Sequence, residues 1–528
     1  MAATKTTVDI TAAMVTEAVP LADWLLVAPV LLTMAGGAIS IIFRKKPQTQ
    51  PWIAISIISL VILSNIGLLT HVLNNGVVTM VMGSWLPPFG IAFTADPLGA
   101  LLALTASIAT LCVAVFAMNS IAESERRYGF YPFLMMLLCG VTGSFLTGDI
   151  FNLYVWFEVL LISSFGMQIL GNEKVQIDGA VKYAVLNLIA TTLFLAATGL
   201  LYGLVGTLNM ADIAGKLKAF DGSGPVLGLA ALYFLAFAMK AAAFPVNFWL
   251  PASYHTPRLV VAAIFAGLLT KVGVYALLRV MVLLMPEGRD WLATLIGLVA
   301  IATMLTGSLG ALAQTDIRRL MAYLVIAGIG AMLAGIAVGN EVAVSGAIFY
   351  SMHSVLIMTA LYLLVAFMFQ MSGTFSLREI GGLYVRTPLG AVIGLILLLA
   401  VAGLPPFSGF WAKLLLVAGA LEADRGWVAA GILVSGLLTT IAVGRLWIFA
   451  FWRGGNEHTV DGIQALPIAG SAEASEISWS IWLPLILLTT LIVLIGVLPE
   501  SMMSVADYGA KTLIDPTAYI GSVFGGSR

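Results

Sequence analysis

Runs of about 20 apolar residues, the length a helix needs to cross a hydrocarbon core, recur along this sequence with short polar connections between them. Walking the chain on that rule places about fourteen spans. They fall near residues 22–43, 52–73, 96–118, 129–148, 150–170, 179–206, 225–250, 258–283, 291–313, 317–339, 341–370, 388–420, 427–452 and 480–500. A chain of this kind has few ways to fold, because in lipid every backbone N–H and C=O must find a partner inside the protein. The predicted fold class is an all-α polytopic membrane protein. Composition agrees, with 60% of the 528 residues hydrophobic and 10% charged, against roughly 25% charged in soluble domains.

Several function classes drop out at once. A net charge of -1 leaves no basic surface for nucleic acid. Cys112 and Cys139 both lie in apolar runs and are too few for a disulfide framework, a metal site or an iron–sulfur cluster. No metal and no cofactor is therefore expected. Residues 1–21 lack a basic segment followed by an apolar one and read as an uncleaved extramembrane tail. Lysines and arginines concentrate in one set of connections, at Arg44, Lys45, Lys46, Arg126, Arg127, Lys174, Arg258, Arg318, Arg319, Arg378, Arg386 and Arg453. Placing that set in the cytoplasm leaves both termini outside. It also makes 453–479 a solvated cytoplasmic loop and 501–528 a C-terminal tail. Asp149 and Asp96 are positioned to cap the helices that follow them, the latter with Pro97 as first helical residue.

Two spans carry sequence that a continuous helix tolerates badly. The seventh contains "FAMKAAAFPVNFWLP", with Pro245 and Pro251. The twelfth contains "AVAGLPPFSGFWAKLLL", with Pro405 and Pro406 between glycines at 403 and 409. An interior proline costs a helix about 3 kcal/mol or more. The freed backbone groups are tolerated only inside protein or beside a water-filled cavity. Unrelated kinks are the bland alternative, but the two segments echo each other, a small residue and a proline followed by Phe-Trp. Paired interruptions at matching positions point to a transporter built from inverted repeats.

Ionisable side chains sit inside the same spans. Glu158 lies eight residues into the fifth span, about 12 Å deep at 1.5 Å per residue, beyond the reach of snorkelling. The structural alternative for it is a protonated acid bonded to a neighbour. Lys240 precedes Pro245 by five residues, and Lys271 lies midway along the eighth span. Lys413 follows Pro406 by seven residues, and His353 is well inside the eleventh span. Snorkelling stems or satisfied polar side chains are the alternatives for these four. Arg279 and Arg445 lie nearer helix ends, where snorkelling or helix-end pairing competes with transport. A charge at mid-bilayer costs about 2.5–3.5 kcal/mol even on insertion scales, so such residues mark a pathway by default. One acid and several bases on different helices have the composition of a proton relay. In that scheme a Glu158–Lys240 pair keeps the lysine charged while closed, and its opening favours proton release to a neighbour.

The segments "LTGDIFNLYVWFEVLLISSF", "YAVLNLIATTLFL", "FAMKAAAFPVNFWLPASYHTP", "FAGLLTKVGVYALLR" and "AVAGLPPFSGFWAKLLL" resemble the proton-translocating antiporter-like subunits. That family includes the large membrane-arm subunits of respiratory complex I and the A and D subunits of Mrp-type sodium/proton antiporters. The wording "TGDIFNLYVWFE" and "WLPASYHTP" is most similar to the D type. The resemblance implies fourteen helices, with spans 4–8 (129–283) and 9–13 (291–452) as inverted repeats after an opening trio at 22–128. By resemblance, Glu158 and Lys240 match the family's essential pair, Lys271 its central lysine and Lys413 the end of its relay. His353 falls where the family often has a polar or basic residue. "RLVVAA" after "HTP" departs from the pattern and leaves the role of Arg258 open.

The resemblance further implies a multi-subunit complex in a bacterial cell membrane, with several smaller membrane subunits as partners. No cluster of mid-membrane carboxylates suits Na⁺, so sodium is expected to be handled elsewhere in the assembly. The alternative reading is a proton-pumping subunit of a respiratory NADH:quinone oxidoreductase or membrane-bound hydrogenase. A self-sufficient permease ranks lower, because the chain offers a line of Lys, Glu and His in place of a roomy binding site.

Overall fold

The structure is a computed structural model that describes residues 13–16, 18–220, 224–454 and 478–525. Twelve helices among the described residues are long and apolar enough to cross a membrane. Two shorter apolar helices, Phe130–Leu146 and Pro388–Ala402, fall at the fourth and twelfth expected positions. A helix thus stands at each of the positions read from the sequence. The predicted caps form: Asp96 accepts a hydrogen bond from Gly99 N at 2.8 Å and Asp149 from Asn152 N at 2.7 Å.

Burial sorts the helices into a core and a wrapping. The apolar windows of Leu259–Leu284, Ile317–Val338 and Glu341–Ser372 are each 94% buried, whereas those of Ala28–Lys45 and Gln50–Asn75 are 33% buried. The eighth, tenth and eleventh spans are therefore central, and the first two face outward. Lipid tails supply no hydrophobic drive between helices, so close packing at small residues must hold them. At Gly330 of the tenth span a side-chain carbon would stand 2.6 Å from the backbone nitrogen of Met304 in the ninth.

Both expected breaks are present and have the same backbone form. The seventh span runs as Gly224–Ala241 and resumes as the short helix Trp249–Ser253. The twelfth runs as Pro388–Ala402 and resumes as Ser408–Glu422. Ala242 at φ 62° and Gly403 at φ 83° turn the chain out of each first half, and each stands three residues before a proline reached through a cis peptide, Pro245 and Pro406.

One expectation needs amending. Residues 501–528 are not simply a tail, because Glu500–Ile514 and Thr517–Phe524 are helices. The first buries Val505, Ala506, Gly509, Ala510 and Leu513, a one-sided stripe too short and too polar on its other face to register as a span. In the segment expected as an N-terminal tail, Met14 bridges to Trp85 beside a short antiparallel hairpin, Val78–Val81 with Ala92–Ala95. The expected cytoplasmic loop at 453–479 lies almost wholly outside the described residues.

Overpacking a tight helix contact costs about 1–3 kcal/mol. Gly330→Leu is accordingly expected to lower the thermal midpoint of the detergent-solubilised protein. Gly199→Ala, with nothing within 4 Å of the added carbon, is expected to leave it unchanged or raise it slightly. A differential melting assay on the two variants checks this.

Candidate functional site

Lys240 is 4% exposed in the last turn before the first break. Its Nζ donates to Thr191 Oγ1 at 2.9 Å and lies 4.8 Å from the centre of the Phe157 ring. Glu158, the residue after Phe157, is half-buried, and among the described residues no ion pair joins it to Lys240. The ring face of Phe157 thus stands where the sequence alone suggested a carboxylate, an attraction of about 0.5–2 kcal/mol. Thr191 is a partner that sequence reasoning missed. Its signal was present: Tyr183, Asn187, Thr191 and Thr198 recur along one buried face of the sixth span. Asn187 Nδ2 donates to the Tyr183 carbonyl at 2.9 Å, Thr191 to the Asn187 carbonyl at 2.6 Å, and Tyr233 Oη to Thr198 Oγ1 at 3.1 Å.

Lys271 is fully buried in the eighth span, and its Nζ donates to the Ala266 carbonyl at 2.5 Å. Ala266 belongs to a π-helical turn, Phe265–Leu269, immediately before the α-helical stretch Thr270–Leu277 that carries the lysine. Two residues on, Gly273 meets the first break: a side-chain carbon there would stand 2.9 Å from the backbone nitrogen of Ala241. Only glycine lets the lysine-bearing helix lie directly against the end of the Lys240 helix.

His353 and Lys413 both attach to the second break, one to each half-helix. His353 Nδ1 is 2.8 Å from Ser408 Oγ, the first residue of the second half. Lys413 Nζ donates at 2.5 Å to the carbonyl of Ala402, the last residue of the first half. Gly403 and Gly409 make room for this, since a carbon added to Gly403 would stand 2.6 Å from Lys413 Cδ and one on Gly409 3.0 Å from His353 Nε2. Lys413 is half-buried and borders a cleft with Tyr350, Ser435 and Thr439. The first break uses a neutral donor for the same purpose, with Trp249 Nε1 donating to the Met239 carbonyl at 3.1 Å.

The structure therefore gathers the five expected residues around two breaks and one π turn. No side-chain hydrogen bond links Lys271 directly to Lys240 or to His353 among the described residues. Pro245, Pro405 and Pro406 lie in the two breaks; at the second, Lys413 takes the Ala402 carbonyl, and at the first, Trp249 takes that of Met239. Arg445 makes a helix-end pairing, donating to the Leu312 and Gln314 carbonyls. Arg279 does not snorkel: it is fully buried and pairs with Asp96. Arg258 pairs with Glu125 at 2.7 Å and Glu173 at 3.5 Å. With Asn119, Gln176, Thr256 and Arg318 it lines a polar cleft at the connection between the seventh and eighth spans. His255 lies in that same connection, 2.8 Å from the Pro251 carbonyl and 3.3 Å from Arg319, and burial holds its imidazole below the usual range.

Comparison with known proteins gives this arrangement relatives. Residues 147–439 match the family described as NADH:quinone oxidoreductase/Mrp antiporter, transmembrane. The D subunit of the Na(+)/H(+) antiporter of Alkalihalophilus pseudofirmus is 36% identical over 94% of this chain and 99% of its own length. Its counterpart in Bacillus subtilis is 35% identical over 94% and 98%. Among solved structures, a chain of the Mrp complex from a Dietzia species superposes with a TM-score of 0.87 at 27% identity, covering 96% of this chain and all (100%) of that one. A chain of respiratory complex I from Thermus thermophilus superposes with a TM-score of 0.78 at 25% identity, covering 93% and 100%. The chain thus belongs to the NADH:quinone oxidoreductase/Mrp antiporter family, as a multi-pass membrane protein of the Mrp D type.

Proposed function

We propose that this chain carries protons across a bacterial plasma membrane as one component of a hetero-oligomeric Na⁺/H⁺ antiporter. Glu158, Lys240, Lys271, His353 and Lys413 form its relay, and sodium is handled elsewhere in the assembly. Smaller membrane subunits are its partners, both termini face outward, and spans 4–8 and 9–13 form two inverted repeats. A helix end followed by a residue at positive φ, Ala242 and Gly403, in the fourth span of each half supports that repeat layout.

The observation that carries the relay is the nature of the lysine partners. Lys240 rests on a hydroxyl and an aromatic ring, and Lys271 and Lys413 each rest on a backbone carbonyl. A buried ammonium locked to a carboxylate is held by Coulomb attraction that low dielectric strengthens, and it resists proton loss. Neutral dipoles stabilise the charge less, so each lysine can exist in either protonation state at moderate cost. Glu158 is one residue from the ring that supports Lys240, near enough for a side-chain rearrangement to exchange ring for carboxylate. That exchange is the step that sets whether Lys240 keeps its proton. His353 can receive a proton on one ring nitrogen and release it from the other, with Ser408 orienting the ring. Lys413, half-buried at a cleft, is the end that exchanges with the surroundings.

A redox-driven pump is the second reading. It is weaker because the relatives matched at 35–36% identity are antiporter subunits, and the Mrp chain superposes with a TM-score of 0.87 against 0.78 for the complex I chain. Gentle purification separates the two: copurifying small hydrophobic subunits support the antiporter, and NADH- or hydrogen-oxidising iron–sulfur subunits overturn it.

Removing an essential proton carrier costs roughly 100-fold or more. Glu158→Ala and Lys240→Ala are accordingly expected to reduce Na⁺-driven proton flux in everted vesicles to background while the complex still assembles. Intact flux in either variant would remove that residue from the relay. Thr191→Val, which deletes one hydrogen bond to Lys240, is expected to lower flux about fivefold, the equivalent of about 1 kcal/mol. Gly403→Ala, which crowds Lys413, is expected to slow flux in the same assay without loss of the assembled complex.

A further inference from the structure

The eighth span is not a uniform helix. Two π-helical stretches, Phe265–Leu269 and Leu278–Leu284, flank the α-helical stretch Thr270–Leu277. Lys271, Tyr275 and Arg279 stand at i, i+4 and i+8 along it, on one face. Lys271 reaches back to the first π turn, and Arg279 lies inside the second.

Arg279 is held from several sides. Its Nη1 donates to Asp96 Oδ2 at 2.7 Å, its Nη2 to Asp96 Oδ1, and its Nε to Tyr275 Oη at 2.8 Å. Tyr275 Oη in turn donates to the Phe145 carbonyl at 2.8 Å, in the last helical turn of the fourth span. The guanidinium is 5.1 Å from the Tyr275 ring and 5.4 Å from that of Tyr519, on the C-terminal helix Thr517–Phe524. Both charged side chains are wholly buried, at 0% exposure. Asp96 also caps the third span through Gly99 N.

A buried ion pair is a poor source of stability, since apolar residues of equal volume often do as well. What a bidentate guanidinium–carboxylate fork adds is direction. Direction is what this span lacks on its own, because a π turn is where a helix changes register. A slip of one residue would swing every side chain of the intervening stretch by about 100°, given 3.6 residues per turn. Lys271 would then leave the Ala266 carbonyl.

We propose that Asp96 and Arg279, tied to the fourth span through Tyr275 and covered by Tyr519, are positioning residues that set the rotation of the eighth span and so aim Lys271. The inference rests on the reading of Lys271 as a proton carrier.

The test uses the whole complex in everted vesicles, following the rate and the pH dependence of Na⁺-driven proton flux. Tyr275→Phe keeps the ring and both charges but releases the hydroxyl that ties Arg279 to the fourth span. It is expected to leave assembly intact, lower flux about fivefold and move the pH midpoint of transport. Arg279→Lys keeps the charge and loses the fork, and is expected not to restore the parental profile. A parental pH midpoint in Tyr275→Phe, or full rescue by Arg279→Lys, would show a merely structural pair and overturn the proposal. Lys271→Ala, measured alongside, separates the two claims: flux surviving in that variant sinks the relay reading itself, whatever the clamp does.

Discussion

A backbone N–H or C=O exposed to hydrocarbon costs several kcal/mol, and the whole arrangement follows from how this chain meets that cost where its helices stop. The first half of the twelfth span ends at Ala402, whose carbonyl is taken by the ammonium of Lys413. The first half of the seventh ends with the Met239 carbonyl taken by the Trp249 indole. In the eighth span the π turn at Phe265–Leu269 leaves the Ala266 carbonyl to Lys271. At the second break and at the π turn the interrupted helix and the cation therefore solve each other's problem, the backbone supplying an acceptor that the ammonium satisfies; at the first break a neutral indole does the same.

That pairing also tunes the cations. An ammonium on a carbonyl or a hydroxyl is stabilised enough to be buried but is not committed to a fixed counter-charge. Glu158, next to the Phe157 ring, stays off Lys240, whose ammonium faces that ring. Asp96–Arg279 is a committed, fully buried ion pair, and its arginine lies eight residues along the helix from Lys271 of the proposed relay. Locked charge and unlocked charge are kept on the same helix but at different levels. On the proposed reading, a rigid pair then orients a group that changes state.

The legible part of this molecule was the part governed by local rules. Apolar run lengths located the helices, Asp96 and Asp149 announced their caps, and Pro245 and Pro406 announced the breaks. Depth along the fifth span was enough to single out Glu158. The partner of Lys240 was harder to read, because Thr191 is 49 residues away and a threonine in a membrane helix is commonplace. The C-terminal helices escaped a hydropathy reading because Glu500–Ile514 buries only one face. Arg279 looked like a helix-end cation because its anchor, Asp96, lies 183 residues away in the chain.

Residue types read in order are enough to say that this chain lives in a membrane, where its long apolar helices run, and which buried charges demand a purpose. Each follows from the free energy of moving a given residue type from water to hydrocarbon, which is set residue by residue. What those charges touch is settled only in three dimensions: a ring and a hydroxyl for Lys240, carbonyls for Lys271 and Lys413, a carboxylate for Arg279. Those choices depend on how closely distant helices approach and how each is rotated about its axis. Glycines such as Gly273 and the packing of neighbouring spans set these jointly, and no single stretch of sequence encodes them.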